Sequence, residues 1–137
     1  MKVVLDSNVI IAAFATKGLC SKIFEFCIFT QEIITSDYIL TEIERILLDK
    51  LKMPSEKVKE RIEFIKSIAK LVSPVKVEEH ICKDKNDLPI IGTAIAGEAE
   101  VIVTGDTDLI EIQEYRNIKF LSPRDFLNFI NIKEQRL

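Results

Sequence analysis

The residues best placed to do chemistry in this sequence are acids at the ends of apolar runs. Asp6 follows Val3-Val4-Leu5, and Asp106 comes just after Val101-Ile102-Val103 and the turn residues Thr104-Gly105. A short continuous apolar run is the pattern of a strand buried on both faces. In an open parallel sheet, ligands bind beyond the carboxyl ends of the strands, near the point where strand order reverses. If these two strands are neighbours, both carboxylates enter one crevice. Two anions at that range need a cation between them, or one takes up a proton.

Two further acids fit the same crevice. Asp37 to Lys50 reads as an amphipathic helix whose buried arc is Ile39, Leu40, Ile43, Ile46 and Leu47. Glu42 lies at the margin of that arc, while Glu44 and Arg45 point further out as ordinary surface. A carboxylate beside an apolar stripe is partly desolvated and wants a partner, which a marginal Lys or Arg supplies as readily as a metal. Asp87 heads the stripe Ile90, Ile91 and Ala94, where a helix N-cap is the competing role. Asp84, three residues earlier, is either a fifth acid or solvated. Hard divalent cations prefer such all-oxygen sites, and Mg²⁺ uses only a few carboxylates. The matching chemistry is phosphoryl or phosphodiester hydrolysis by an activated water. Lys83 and Lys85 lie just before Asp87 in sequence and are the candidates for phosphate contacts. The basic residues of the 56–71 segment belong to a face more often merely solvated.

The elements that must position these acids follow from periodicity. Strands are expected at Val3–Leu5, Glu32–Thr35, Val101–Val103 and Ile118–Leu121, with an extended Val72–Val77 interrupted by Pro74. Helices are expected over Asn8–Ala15, Ser21–Phe29, Asp37–Lys50, Glu56–Leu71 and Leu88–Gly97, the last with Pro89 in its tolerated first turn. Ser36 stands at an N-cap position, and Ser122 with Asp125 resembles a capping box opening a final helix to about Ile130. Glu78 to Asn86 is a polar loop. Short apolar strands alternating with helices predict an α/β fold: a three-layer sandwich around a central, mostly parallel sheet of four to five strands. No repeat or linker interrupts residues 1–137, which are expected to form one domain.

Composition sets the outer bounds. The chain has 137 residues, 47% hydrophobic and 30% charged, as for a globular protein with a real core. No apolar run approaches a membrane span, and Asp6 interrupts the N-terminal run, so a cytoplasmic location is expected. A net charge of −3 argues against coating nucleic acid by charge alone, though not against enzymatic action on it. Three cysteines without a CxxC pair argue against disulfides and structural zinc. The only histidine, His80, lies in the polar loop, and no motif supports a Cys–His mechanism. A receiver-type signalling domain also carries acids after its first strand, but it needs an acceptor Asp after a middle strand and a Lys after a late one. Here Thr35-Ser36 follows the second strand, and Thr104-Gly105-Asp106, with no Lys, directly follows Val103.

The segments VVLDSNVIIAAF, SDYILTEIERIL, DKNDLPIIGTAIA, VIVTGDTDLI and FLSPRDFL, in that order and spacing, resemble a PIN domain from about Lys2 to Ile130. The likeness is greatest to small prokaryotic members regarded as toxins of toxin–antitoxin pairs. It implies a Mg²⁺- or Mn²⁺-dependent ribonuclease with one or two ions, in which Asp6, Glu42, Asp87 and Asp106 are the four acids in order. By the same resemblance Asp108 assists or substitutes for Asp106, and Asn8, Thr104 and Ser36 orient the carboxylates. Asn86 departs from the pattern, since many relatives carry a second Asp there, which implies weaker metal affinity. The resemblance also implies an RNA substrate, a small antitoxin partner and a homodimer. The alternative is an inactive PIN-like module that binds RNA or protein without cleaving.

Overall fold

The computed structural model describes residues 1–135. In chain order the elements are β1 (Lys2–Leu5), α1 (Ser7–Ala15), α2 (Leu19–Thr30), β2 (Glu32–Thr35), α3 (Asp37–Asp49), α4 (Ser55–Ile68) and β3 (Ala69–Leu71). There follow α5 (Leu88–Ala96), β4 (Val101–Val103), α6 (Thr107–Ile110), β5 (Glu114–Tyr115), β6 (Ile118–Leu121) and α7 (Pro123–Gln135). The sheet order is β3-β2-β1-β4-β6-β5, parallel except for the edge pair β5–β6.

Val3, Val4 and Leu5 are all fully buried, as are Val101, Ile102 and Val103. Successive strand residues point to opposite faces, so burial of every residue means that both faces of the sheet are covered by helices. The expected α/β architecture is observed. From β1 the chain steps outward to β2 and β3, then returns to place β4 on the other side of β1, aligned as Val3↔Val101 and Leu5↔Val103. Strand order reverses between β1 and β4, and the crevice that such a reversal opens lies directly beyond Leu5 and Val103.

The sheet has six strands rather than four or five, for two local reasons. The expected 56–71 helix stops at Ile68, because Ala69, Lys70 and Leu71 pair with Ile33, Ile34 and Thr35 along β2. The segment Val72–Val77, expected to be extended, lies outside the sheet. The added edge strand β5 arises from a hairpin whose two loop residues, Arg116 and Asn117, both have positive φ (49° and 64°), as a type I′ turn requires. Pairing with the partner strand overrides local helical preference at the first site. At the second, only Asn117 hints at the turn in the sequence.

Helix α5 packs against β1, β2 and β4. Its approach is close enough that a Cβ at Gly97 would overlap the Ile34 side chain, and one at Gly92 would overlap the Val75 carbonyl oxygen. Val75 N–H also donates to the Gly92 carbonyl at 3.2 Å, tying the extended segment to the helix that follows Asp87. The α3 arc is as expected for Ile39, Leu40, Ile43 and Leu47, with Ile46 only half-buried. At Ser122, the hydroxyl accepts from Asp125 N–H at 3.1 Å, so the final helix starts where expected and runs on beyond Ile130. Among the described residues, no helix is long and apolar enough to cross a membrane.

Candidate functional site

Asp6 is the most constrained acid. It is 2% exposed, and both carboxylate oxygens are engaged. Oδ1 accepts from Ser7 N–H at 2.7 Å, capping α1; Oδ2 accepts from Thr104 Oγ1 at 2.7 Å and Asn8 Nδ2 at 3.2 Å. Asp6 N–H donates to the Val103 carbonyl at 2.9 Å, so β1 and β4 stay paired up to the acid itself. Asn8 Oδ1 accepts from Gly105 N–H at 3.0 Å, and Thr104 Oγ1 accepts from Asp106 N–H at 3.0 Å. Asn8 and Thr104 thus lace the β1 and β4 ends together, and Asp106 in turn caps α6 through Asp108 N–H at 2.9 Å.

Asp87 occupies the N-cap position of α5, but its side chain makes no capping bond. That resolves the competition left open by the sequence: Asp84 makes the local turn bond, accepting from Asn86 N–H at 2.9 Å, while the Asp87 carboxylate turns toward the acids. Burial raises the Asp87 pKa from the usual 3.8 to about 8, reinforced by a hydrogen bond with the Asp106 carboxyl and by the charges of Asp106, Asp84 and Asp6. Asp6 is also raised, first by burial and then by Glu42 and Asp106, against the opposing hydrogen bonds from Thr104 and Ser7. Asp6, Glu42, Asp87 and Asp106 therefore share one electrostatic neighbourhood. Asp108 lies within electrostatic reach of Cys82 and Lys83 at its rim.

The donor set fits a hard divalent cation. It is carboxylate oxygen throughout, and the repulsion that Asp106 exerts on Asp87 is what a cation would relieve. Among the described residues, however, no three acidic, histidine or cysteine side chains close around a single point as they stand.

Other expected contributors sit as follows. Ser36 is fully buried at the N-cap position of α3, yet its hydroxyl makes no cap; it shares a 2.8 Å hydrogen bond with Thr93 of α5. Lys83 and Lys85 are exposed and pair with Glu111 and Glu79, each at 3.2 Å. Such pairs are weak and exchange readily for other anions. Three residues the sequence reading passed over also border the acids. Cys82 Sγ lies 3.9 Å from Asp87 Oδ2, and Tyr38 Oη donates to the Asn86 carbonyl at 2.6 Å. Arg45, read as plain surface, lines the same cleft as Glu42.

Two expected results follow from this geometry. Thr104→Val removes both the donor to Asp6 and the acceptor for Asp106 N–H. Leaving buried polar groups unpaired costs about 1–3 kcal/mol, to be read as a lower midpoint of chemical denaturation at constant slope. The second concerns pH. Asp87 holds a proton in the folded chain that the unfolded chain releases at about 3.8. Its stabilising contribution is complete below that pH, declines as pH rises toward about 8, and is gone above it. The thermal midpoint of EDTA-treated protein should fall across that window, and Asp87→Asn should flatten the fall.

An acid-lined crevice at the switch point of a mostly parallel α/β sheet defines a fold-and-site class, and the sequence places this chain within it. The chain belongs to the PIN domain family, whose profile, described as PIN domain, matches residues 2–108. Its fold is similar to that in the crystal structure of VapBC2 from Rickettsia felis bound to a DNA fragment from their promoter, with a TM-score of 0.62 and 16% identity, covering 89% of this chain and 98% of that one. It is also similar to VapBC-1 from nontypeable Haemophilus influenzae, with a TM-score of 0.63 and 16% identity, covering 90% and 99%. No curated protein sequence matches.

Proposed function

We propose that residues 1–137 form one metal-dependent endoribonuclease domain, the toxin component of a toxin–antitoxin pair acting in the cytoplasm. The observation that carries this reading is the convergence at the sheet's switch point of Asp6, held by Thr104 and Asn8, with Asp106 and with Asp87, whose carboxylate is not committed to its helix cap. Membership of the PIN domain family supports nuclease chemistry.

Asp6, Asp87 and Asp106, with Asp108 beside them, would hold Mg²⁺ or Mn²⁺, one or two ions in all. When bound, the metal supplies a Lewis acid for the phosphodiester and lowers the pKa of water. The chain's own contribution is positioning. Thr104 and Asn8 fix the Asp6 carboxylate, Ser36 anchors the start of α3 to α5, and α3 presents Glu42, which would hold the second metal or orient the attacking water. Lys83 and Lys85 exchange their glutamate partners for substrate phosphates. Water attack in line with a leaving 3′-oxygen yields 5′-phosphate and 3′-hydroxyl ends.

The test is incubation of single-stranded RNA with the full chain in Mn²⁺ and in EDTA, with end-group analysis. Cleavage only with metal, leaving 5′-phosphates, is expected; equal cleavage in EDTA overturns the reading. The open arrangement of the acids favours one alternative, a PIN-like module that binds RNA or protein without cutting. Metal binding with no cleavage of any RNA is its signature. Likeness to VapBC structures supports a small antitoxin partner, which would cap the crevice, and a homodimer in solution is proposed beside it. Co-purification with the product of an adjacent small reading frame tests the first, and sedimentation tests the second.

A further inference from the structure

On the open side of the acid cluster lies a cleft of about 620 Å³, lined by Asp37, Tyr38, Thr41, Glu42, Arg45 and Asn86. Glu42 belongs to both, so the cleft continues directly from the acids. Its walls carry three kinds of group. The Tyr38 ring is half-buried and held in place by its hydroxyl's 2.6 Å bond to the Asn86 carbonyl. Burial and the charges of Glu42, Asp87, Asp84 and Asp6 all raise the phenol's pKa, which places it within electrostatic reach of the acids. Arg45 is exposed, three residues or roughly 4.5 Å along α3 from Glu42. It makes no ion pair among the described residues, whereas Lys83 and Lys85 both do. Thr41 and Asn86 are exposed and add a hydroxyl and an amide that both donate and accept.

We infer that this cleft is a subsite for one unpaired nucleotide flanking the cleaved bond, with the base stacked on Tyr38 and its phosphate on Arg45. The inference rests on the ribonuclease reading above. A fixed aromatic face, a free guanidinium and an amide within one concavity are what an unstacked nucleotide requires. A base held in a duplex cannot present its face to Tyr38, so the subsite selects single-stranded segments. Asp37 and Glu42 make the cleft partly acidic, and Arg45 is the group that offsets them locally. Asn86 contributes a neutral edge, so that side of the cleft hydrogen-bonds a base without repelling its phosphate. The sequence hid the site because Tyr38 and Arg45 are seven residues apart on α3, and only the loop carrying Asn86 closes a cleft over them.

The test is a short fluorescein-labelled single-stranded oligoribonucleotide, with binding read by anisotropy in EDTA and cleavage read in Mn²⁺. Tyr38→Ala and Arg45→Ala should each weaken binding and raise KM by about tenfold, with kcat changed far less. Tyr38→Phe keeps the ring, loses only the hydroxyl, and should stay within about twofold of wild type on the same scale. Duplex RNA of the same sequence should bind equally poorly to wild type and Tyr38→Ala. If wild type cleaves but both alanine variants match it in affinity and KM, the subsite is overturned and the nuclease reading stands. If Tyr38→Phe falls as far as Tyr38→Ala, the hydroxyl clamp on Asn86 is what matters, and stacking is overturned. Binding that depends on Tyr38 and Arg45 without any cleavage supports the subsite and removes the nuclease reading. Arg45 is exposed on α3, so its variant tests the idea even if Tyr38→Ala fails to fold.

Discussion

Replacing Asp6 by asparagine is expected to reduce Mn²⁺-dependent cleavage of single-stranded RNA by more than about 100-fold, beyond the 10–100-fold typical of losing an outer-shell partner. The magnitude follows from position. Asp6 is the one acid fixed by both strands of the switch point, through Thr104 Oγ1, Asn8 Nδ2 and its own backbone bond to Val103. Asparagine keeps one carbonyl oxygen, for either Ser7 N–H or Thr104 but not both, so the scaffold survives at the cost of a lost bond. It removes the charge that burial, Glu42 and Asp106 already disfavour. The lost bond and the removed charge oppose each other, so the metal-free variant should unfold close to the wild-type temperature, while the rise in midpoint that Mn²⁺ gives the wild type disappears. Activity and metal response are lost together while the fold persists; a variant that cleaves as well as wild type would sink the assignment of Asp6.

The second large effect is on the scaffold. Gly92→Ala should cost about 2–3 kcal/mol, in the upper range for overpacking a filled site, and lower the melting temperature by roughly 6–12 °C in a chain of this size. The added methyl group would overlap the Val75 carbonyl oxygen and crowd Val75 N, and backbone atoms cannot rotate away as a side chain can. Relief requires moving either the extended segment or α5, and both are tied to the Asp87 region: the Val75–Gly92 hydrogen bond links them, and α5 begins one residue after Asp87. Metal affinity should fall along with stability. Thermal melts of the two proteins, with and without Mn²⁺, separate these effects. A variant melting within about 1 °C of wild type would show that the segment yields freely, against the cost usual for overpacking.

Both predictions depend on different layers of information. The strands β1 and β4 were legible because their apolar runs are short, continuous and followed at once by turn residues, so the acids at their ends were legible too. Glu42 and Asp87 were visible through helical periodicity, though not their roles: a marginal glutamate and an aspartate at a helix start have ordinary explanations that local sequence cannot dismiss. The structure dismissed one of them, showing Asp87 at the N-cap position with its carboxylate uncommitted to the cap. Ser36 went the other way. Its N-cap position was predictable, but its hydroxyl is spent on Thr93, 57 residues distant.

The misses share a cause. Ala69–Leu71 reads as the end of a helix until β2 offers its edge, and Glu114–Tyr115 becomes a strand only because a tight turn folds it back on β6. Arg45 looks like any exposed arginine, and Tyr38 like any residue in a first helical turn, because the surface that gives them meaning is brought by the loop at Asn86. By itself the sequence determined the buried strands, the helices between them and the acids at their ends, since those follow from hydrophobic periodicity along a local stretch of chain. Only the tertiary structure decided that β1 and β4 are neighbours, that Asp87 and Asp106 stand in one electrostatic neighbourhood, and that a cleft opens beside them. These are consequences of strand order and packing, which depend on residues far apart in the chain, and no local pattern encodes them.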